Sequence, residues 1–201
     1  VQFYFPDADG KPYKSSVGAM KHSPELNRQI PAYWEVITLD NILSKRTEAS
    51  KPSANLKCVD LSVMPSSSLS ITEYSNGDAF NSNMKKMYKN DILFGSIRPY
   101  LKKAGLASFE GLRAGTVHAF YPKDSHNLEY SLVTMTSDRF FDYAIARSGG
   151  STRMPSVSAD DLLRYSVPYD NDTVLKYHEI LASLTDTISH NVEESQTLAS
   201  L

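Results

Sequence analysis

The sequence predicts a mixed α/β fold (strands and helices in one α+β domain) followed by a long C-terminal helix of coiled-coil type. Three observations carry this. Short apolar runs such as Ile92-Leu93-Phe94 and Val117-His118-Ala119-Phe120-Tyr121 are bounded by Gly, Pro and Asn, as strands are. Two stretches, about residues 128–136 and 138–147, read as helices. In the tail, Val174, Tyr177, Leu181, Leu184, Ile188, Asn191, Ser195 and Leu198 follow a 3-4-3-4-3-4-3 spacing, a heptad seam with two polar positions late in it.

In chain order, residues 1–33 are rich in Pro, Ser, Gly and Lys, show little periodicity and read as a connecting arm. The main domain is expected over residues 34–169. It opens on the alternating Trp34-Glu35-Val36-Ile37-Thr38-Leu39, with a short helical turn over 39–43 and a polar loop over 45–51. Residues 57–61 and 68–74 read as strands, and Asn76-Gly77 as a tight turn. Residues 91–94 and 104–107 are strands flanking Arg98-Pro99, and 115–121 is a strand that Pro122 ends. Gly149-Gly150 and Pro155 fix a loop carrying Thr152 and Arg153. A helix starts after Ser158, whose hydroxyl can cap the amides of Asp160 or Asp161, and a strand follows at Ser166-Val167-Pro168. The last segment, 170–201, is the helix: roughly 30 residues would extend about 45 Å. It either folds back on the domain along its apolar face or meets a partner helix, and the polar seam positions favour the partner.

Composition bounds the function. At 201 residues, 41% hydrophobic and 22% charged, the chain suits one globular domain and an extension. It shows neither an apolar run of membrane length nor a signal peptide, so a cytoplasmic protein with no membrane partner is expected. Cys58 is the single cysteine, read as a small buried hydrophobe in a reducing compartment. The chain opens at Val1 without Met and is read as a fragment or processed chain. Net charge is −2, which is not that of a general nucleic-acid binder, but its distribution is uneven. Between residues 84 and 113 seven bases face two acids, a local +5; between 170 and 201 one base faces six acids, a local −5. One part can attract phosphates and the other repel them, or both are solvated faces.

No enzyme reading finds an anchor. There is no phosphate-binding loop, no G-x-G-x-x-G, no H-E-x-x-H and no G-x-S-x-G. The five histidines lack metal spacing, and Asp160-Asp161 belong to a first helical turn, where negative charge is favoured. A loop presenting Arg153 is instead suited to meet a phosphate or a base edge.

Four segments resemble one family. The run from Gly149-Gly150-Ser151-Thr152-Arg153-Met154-Pro155 through Ser166-Val167-Pro168 resembles the loop, short helix and strand that close a target recognition domain in the specificity (S) subunit of Type I restriction-modification enzymes. Lys89-Asn90-Asp91-Ile92-Leu93-Phe94-Gly95-Ser96-Ile97-Arg98-Pro99-Tyr100-Leu101-Lys102-Lys103-Ala104 is similar to that family's GDILF…IRPYL.K segment. Phe5-Pro6-Asp7-Ala8-Asp9-Gly10-Lys11-Pro12, with Ile30-Pro31-Ala32-Tyr33-Trp34, resembles the lead-in to such a domain, and residues 174–201 resemble part of the conserved spacer helix. The family's proline- and glutamine-rich approach to that helix is replaced by Tyr169-Asp170-Asn171-Asp172-Thr173.

The resemblance implies a non-catalytic, sequence-specific module that reads one half of a bipartite site in double-stranded DNA and docks methyltransferase (M) subunits. It implies no cofactor in this chain: S-adenosylmethionine belongs to the M subunit, ATP and Mg to a restriction (R) subunit that joins indirectly. The Val1-Gln2-Phe3 opening implies the second recognition domain of its subunit. An alternative is a protein-interaction scaffold that binds M-subunit helices without reading DNA by itself. On the DNA reading, Lys85, Lys86, Lys89, Lys102 and Lys103 neutralise phosphates, while Arg98 and Arg153 are the specificity candidates, since a guanidinium can grip guanine bidentately. Arg98 is equally readable as a structural arginine of its loop. Thr152 either contacts a phosphate or caps the loop, and Asn81-Ser82-Asn83 either reads adenine edges or forms a plain turn. Tyr88 and Tyr100 read as packing residues. Val174, Tyr177, Leu181, Leu184, Ile188 and Leu198 are the expected partner-helix interface, and through it the isolated chain is expected to homodimerise.

Overall fold

A computed structural model describes residues 18–149 and 153–199. The fold is a mixed α+β domain that ends in a long helix. A five-stranded sheet lies at its centre, in the order Leu43–Lys45, Val117–Pro122, Ile92–Gly95, Ala104–Ala107, Ser70–Ile71. Its neighbours pair antiparallel except the last two, which are parallel. A second sheet runs Ala49–Ser50, Met84–Met87, Gly111–Arg113, Lys57–Val59, Ser75–Asn76. Four helices follow: α1 (Leu128–Met135), α2 (Asp138–Arg147), α3 (Ala159–Leu163) and α4 (Asn171–Ala199).

The central sheet is buried on both faces, and the period-2 alternation of its strands divides them between two cores. Ile92 and Phe94 pack with Phe120, Leu132, Phe140, Phe141 and Leu162 under α1–α3. Leu93, between them, points the other way, to Val59, Met87, Phe109, Val117 and Ala119 beneath the second sheet. This accounts for the unbroken apolar Ile92-Leu93-Phe94, which a half-solvated strand would have interrupted with a polar residue. Burying such a run contributes about 1.5–3 kcal/mol per large side chain.

Local sequence sets the helix ends. Ser137 Oγ accepts from Phe140 N at 3.3 Å and Ser158 Oγ from Asp161 N at 3.0 Å, as the capping pattern predicts. Asp170 caps α4 through Thr173 N at 3.0 Å. The strand Ser166–Tyr169 does not join either large sheet; it pairs antiparallel with Glu35–Thr38.

Several local expectations change. Within the stretch read as a connecting arm, Met20–Ser23 and Arg28–Pro31 form a hairpin turned by Asn27 at φ 46°. The 45–51 loop contains the edge strand Ala49–Ser50, and Met84–Met87 and Gly111–Arg113 are strands whose lysines and arginine hid them from an apolar reading. Asn76-Gly77 is not a tight hairpin turn: Gly77 opens a single 3₁₀ turn. The glycine is required because a Cβ there would lie 2.0 Å from the Ser53 carbonyl oxygen.

Candidate nucleic-acid interface

The strand Ile92–Gly95 delivers the chain to a turn pinned on every side. Ser96 N and Oγ both donate to the Thr116 carbonyl, at 2.8 and 2.9 Å. Arg98 then adopts φ 51°, ψ 57°, Pro99–Leu101 make one 3₁₀ turn, and Lys102 adopts φ 52°, ψ 43°. Two non-glycine residues in the left-handed region cost about 1–2 kcal/mol each. The surroundings hold them there: Arg98 N donates to the Pro155 carbonyl at 2.8 Å, Lys102 N to Pro99 O at 3.0 Å, and Ser67 N to Lys102 O at 2.9 Å. Tyr100, read as packing, is 51% exposed at the tip of this turn.

The same hydrogen bonds carry the second candidate. Ser156 bridges Ile97 on one side and Gly149 on the other, with Gly149 N to Ser156 O at 2.8 Å. The Arg153 loop is thereby stitched to the strand that leads into Arg98, although 55 residues of sequence separate the two arginines. Both side chains are exposed, and among the described residues neither guanidinium has an acceptor within bonding distance. Thr152 lies outside the described residues. Beneath the loop, His118 holds the Val157 carbonyl at 3.0 Å from Nε2; burial, followed by the positive charges of Arg113, Lys85 and Lys45, pushes its pKa down.

The lysines divide. Lys85 is exposed on the strand Met84–Met87. Lys86 pairs with Glu48 at 2.6 Å and Lys89 with Glu193 of α4 at 2.7 Å, each carboxyl being held below its ordinary pKa chiefly by its lysine. Lys102 bonds Asp138 at 2.6 Å, at the start of α2. Lys103 donates to the Leu61 and Met64 carbonyls at 2.5 and 2.8 Å, so it ties a loop down. Arg113 is buried, donates to the Val117 and Arg46 carbonyls, and is drawn down to about 10 by desolvation. The structure thus places Arg98 and Lys102 on one turn, bonds that turn to Pro155, two residues after Arg153, and sets Lys86, Lys89 and Lys102 against acids. Asn81, Ser82 and Asn83 are exposed beside Met84.

Sequence reading missed Lys45, which bonds Asp160 at 2.6 Å and brings a further positive charge beside His118. Its neighbours gave no signal, because only the pairing of Leu43–Lys45 with Val117–Pro122 brings it there.

The seam of α4 is split between two surroundings. Val174 is buried, Tyr177 and Leu181 are half-buried against the domain, and Leu184, Ile188 and Leu198 are 57%, 39% and 63% exposed. The helix folds back along its own domain through another line of residues. His178 Nδ1 meets Glu129 at 2.7 Å, Thr185, Ser189 and Val192 are buried, and Gln196 both accepts from Lys57 at 2.9 Å and donates to Thr72 O at 2.8 Å. Ile180, 65% exposed, joins the outer apolar line.

No family model matches the chain. It is 25% identical over 177 residues to the Type I restriction enzyme EcoDI specificity subunit of Escherichia coli, a match covering 83% of this chain and 38% of that protein. Among solved structures, a chain from a study of complex assembly and conformational transition of the Type I R-M system superposes with a TM-score of 0.62 at 19% identity, over 86% of this chain and 46% of that one. The HsdS subunit from Thermoanaerobacter tengcongensis gives 0.57 at 19% identity, over 85% and 46%. The chain therefore spans less than half the length of the relatives it matches. No described helix is long and apolar enough to cross a membrane. In sequence the chain is thus similar to a Type I restriction-modification specificity subunit, and it shares the fold of the two solved chains.

Proposed function

We propose that residues 34–169 form one target recognition domain that reads one half of a bipartite site in double-stranded DNA, without catalysing a reaction. The observation that carries this reading is the juxtaposition of Arg98 and Arg153. Two exposed guanidinia, with no acceptor among the described residues, project from segments joined by backbone hydrogen bonds, beside a strained turn whose geometry is over-determined. Free guanidinia held on rigid backbone suit bidentate contact with guanine in the major groove, and Lys85 suits a flanking phosphate. Lys102 reaches phosphate only in exchange for Asp138.

The outer line of α4, Ile180, Leu184, Ile188 and Leu198, supports docking of a helical partner, which on this reading is the other conserved helix of the subunit and the M subunits. S-adenosylmethionine then enters with the M subunits, and ATP and Mg with the R subunit. In the isolated chain the same line favours a two-fold homodimer.

The test starts from adenine methylation mapped in the source genome with and without the gene, which gives the cognate site. Arg153→Ala, in the subunit assembled with M, is expected to weaken cognate binding by about 1–3 kcal/mol and leave binding to random duplex unchanged. Equal losses on both duplexes reduce Arg153 to a backbone contact. No loss on either removes the reading.

A further inference from the structure

One side-chain hydrogen bond holds the segment that follows Arg153, and it comes from His118. This histidine lies on the strand Val117–Pro122 opposite Phe94, on the strand that leads into the Arg98 turn. The period of two puts it on the same side as Phe120, and the two rings meet edge to face at 6.1 Å. From there Nε2 reaches the Val157 carbonyl at 3.0 Å. A carbonyl only accepts, so Nε2 carries the hydrogen. Burial first, and then the charges of Arg113, Lys85 and Lys45, disfavour the imidazolium, so the donor is a neutral ring.

The carbonyl it holds is the root of the Arg153 loop. Gly149 and Ser156 exchange backbone hydrogen bonds at 2.8 and 2.9 Å and close the loop between them. Val157 follows at once. It is buried, its N donates to Ser96 O at 2.9 Å, and its O accepts from His118. The bonds that seat this segment on the Arg98 turn, Val157 N to Ser96 O and Arg98 N to Pro155 O, run backbone to backbone, so ordinary side-chain substitutions leave them in place. The bond from His118 is made by a side chain and can be removed alone.

Without that bond a carbonyl of a buried residue loses its side-chain donor, and a chain relieves such a group by turning it to water. Val157 can turn only by moving Ser156, and with Ser156 the closing pair and the loop that carries Arg153. A guanidinium that grips a base through two hydrogen bonds tolerates little displacement of its loop, whereas its charge acts on phosphate from either position. We infer that His118 is a positioning residue of the DNA site: through the Val157 carbonyl it holds the Arg153 loop in the place from which a base is read. The inference rests on the reading of Arg153 given under the proposed function.

The experiment compares wild type, His118→Leu, His118→Gln, Arg153→Ala and the pair His118→Leu/Arg153→Ala, each in the subunit assembled with M, on cognate and random duplexes. Amide exchange at Gly149 and Ser156 is followed in the full chain without DNA. His118→Leu is expected to weaken cognate binding about tenfold and leave random duplex unchanged. His118→Gln keeps a neutral N–H near the place of Nε2 and is expected to return binding to within about twofold of wild type. The pair is expected to lose no more than Arg153→Ala alone, since a loop without its arginine has no base contact left to misplace. The Gly149 and Ser156 amides are expected to exchange about tenfold faster in His118→Leu, with those of Ile92–Gly95 unchanged. If His118→Leu does not fold, His118→Phe, which keeps a ring and loses the donor, takes its place. Cognate binding unchanged in His118→Leu, while Arg153→Ala weakens it, overturns the inference and keeps the reading of Arg153. So does a loss in the pair equal to the product of the two single losses, or binding by His118→Gln as weak as by His118→Leu. If Arg153→Ala costs nothing on either duplex, the reading of Arg153 falls and amide exchange decides: faster exchange in His118→Leu keeps His118 as the holder of the loop, and unchanged exchange removes it.

Discussion

Lys86 and Lys89, near one edge of the second sheet, and Arg98 and Arg153, on the loops above the central sheet, carry the same sign of charge in different states. Each lysine has a carboxylate within 2.7 Å, Glu48 for one and Glu193 for the other. The arginines have none among the described residues. Counting charge along the segment gives +5, but the acids that cancel it come from residues 48, 138 and 193, outside the window counted. Local net charge therefore says where bases are, and folding decides which of them face solvent with their field intact. An exposed ion pair contributes little to stability, about 0–1 kcal/mol, yet it removes a lysine from the set that can release counterions on DNA.

Three substitutions sharpen this contrast. The largest effect is expected where a charge is buried. Asp91 is 1% exposed, receives Arg46 Nε at 3.2 Å and Tyr88 N at 2.9 Å, and its pKa is raised because burial outweighs those partners. Asp91→Ala is expected to lower stability by about 3 kcal/mol, read as a denaturant midpoint, since it strands Arg46 and the Tyr88 amide. A midpoint unchanged by this substitution makes the network ornamental. Next is Arg98→Gly, which removes the guanidinium and relieves the left-handed strain together. Cognate DNA binding is expected to weaken by about 1–3 kcal/mol while the thermal midpoint holds or rises slightly. A fall in midpoint with unchanged DNA binding makes Arg98 the structural arginine of its turn. The smallest is Lys89→Ala: the salt slope of DNA binding is expected to stay the same because Glu193 already holds this lysine. A slope lower by about one means that DNA displaces Glu193.

The helices, the Ser158 cap and the central strands Ile92–Gly95, Ala104–Ala107 and Val117–Pro122 were legible because their signals are local, a serine three residues before its amide or an apolar run too short for a helix; Leu43–Lys45, read as part helical turn and part loop, was not. The strands Met84–Met87 and Gly111–Arg113 were not, since they alternate charge with apolar residues and pair only with distant segments. The same holds for the interface. Arg98 and Arg153 could be singled out by residue type and loop context, whereas the approach of their two segments depends on distant backbone pairing, Ile97 with Ser156, Arg98 N with Pro155 O and Val157 N with Ser96 O. Lys45 had no local mark at all. The α4 seam was visible as a period, but its division between inner and outer faces required the path of the helix over the domain.

That path has a mechanical consequence. His178, Thr185, Ser189, Val192 and Gln196 fasten the domain to α4 at points spread over 18 residue steps, a length of about 27 Å, so the two move as one piece. The helix then acts as a graduated rod with the Arg98 and Arg153 loops fixed to one of its marks. One residue inserted just after Gln196 leaves the loops where they are and advances the residues from Thr197 on by about 1.5 Å along the axis and about 100° around it. Seven residues advance them by about 10 Å and bring them back to within about 20° of their original bearing. Distance and heading are thus encoded in helix length, separately from the Arg98 and Arg153 loops.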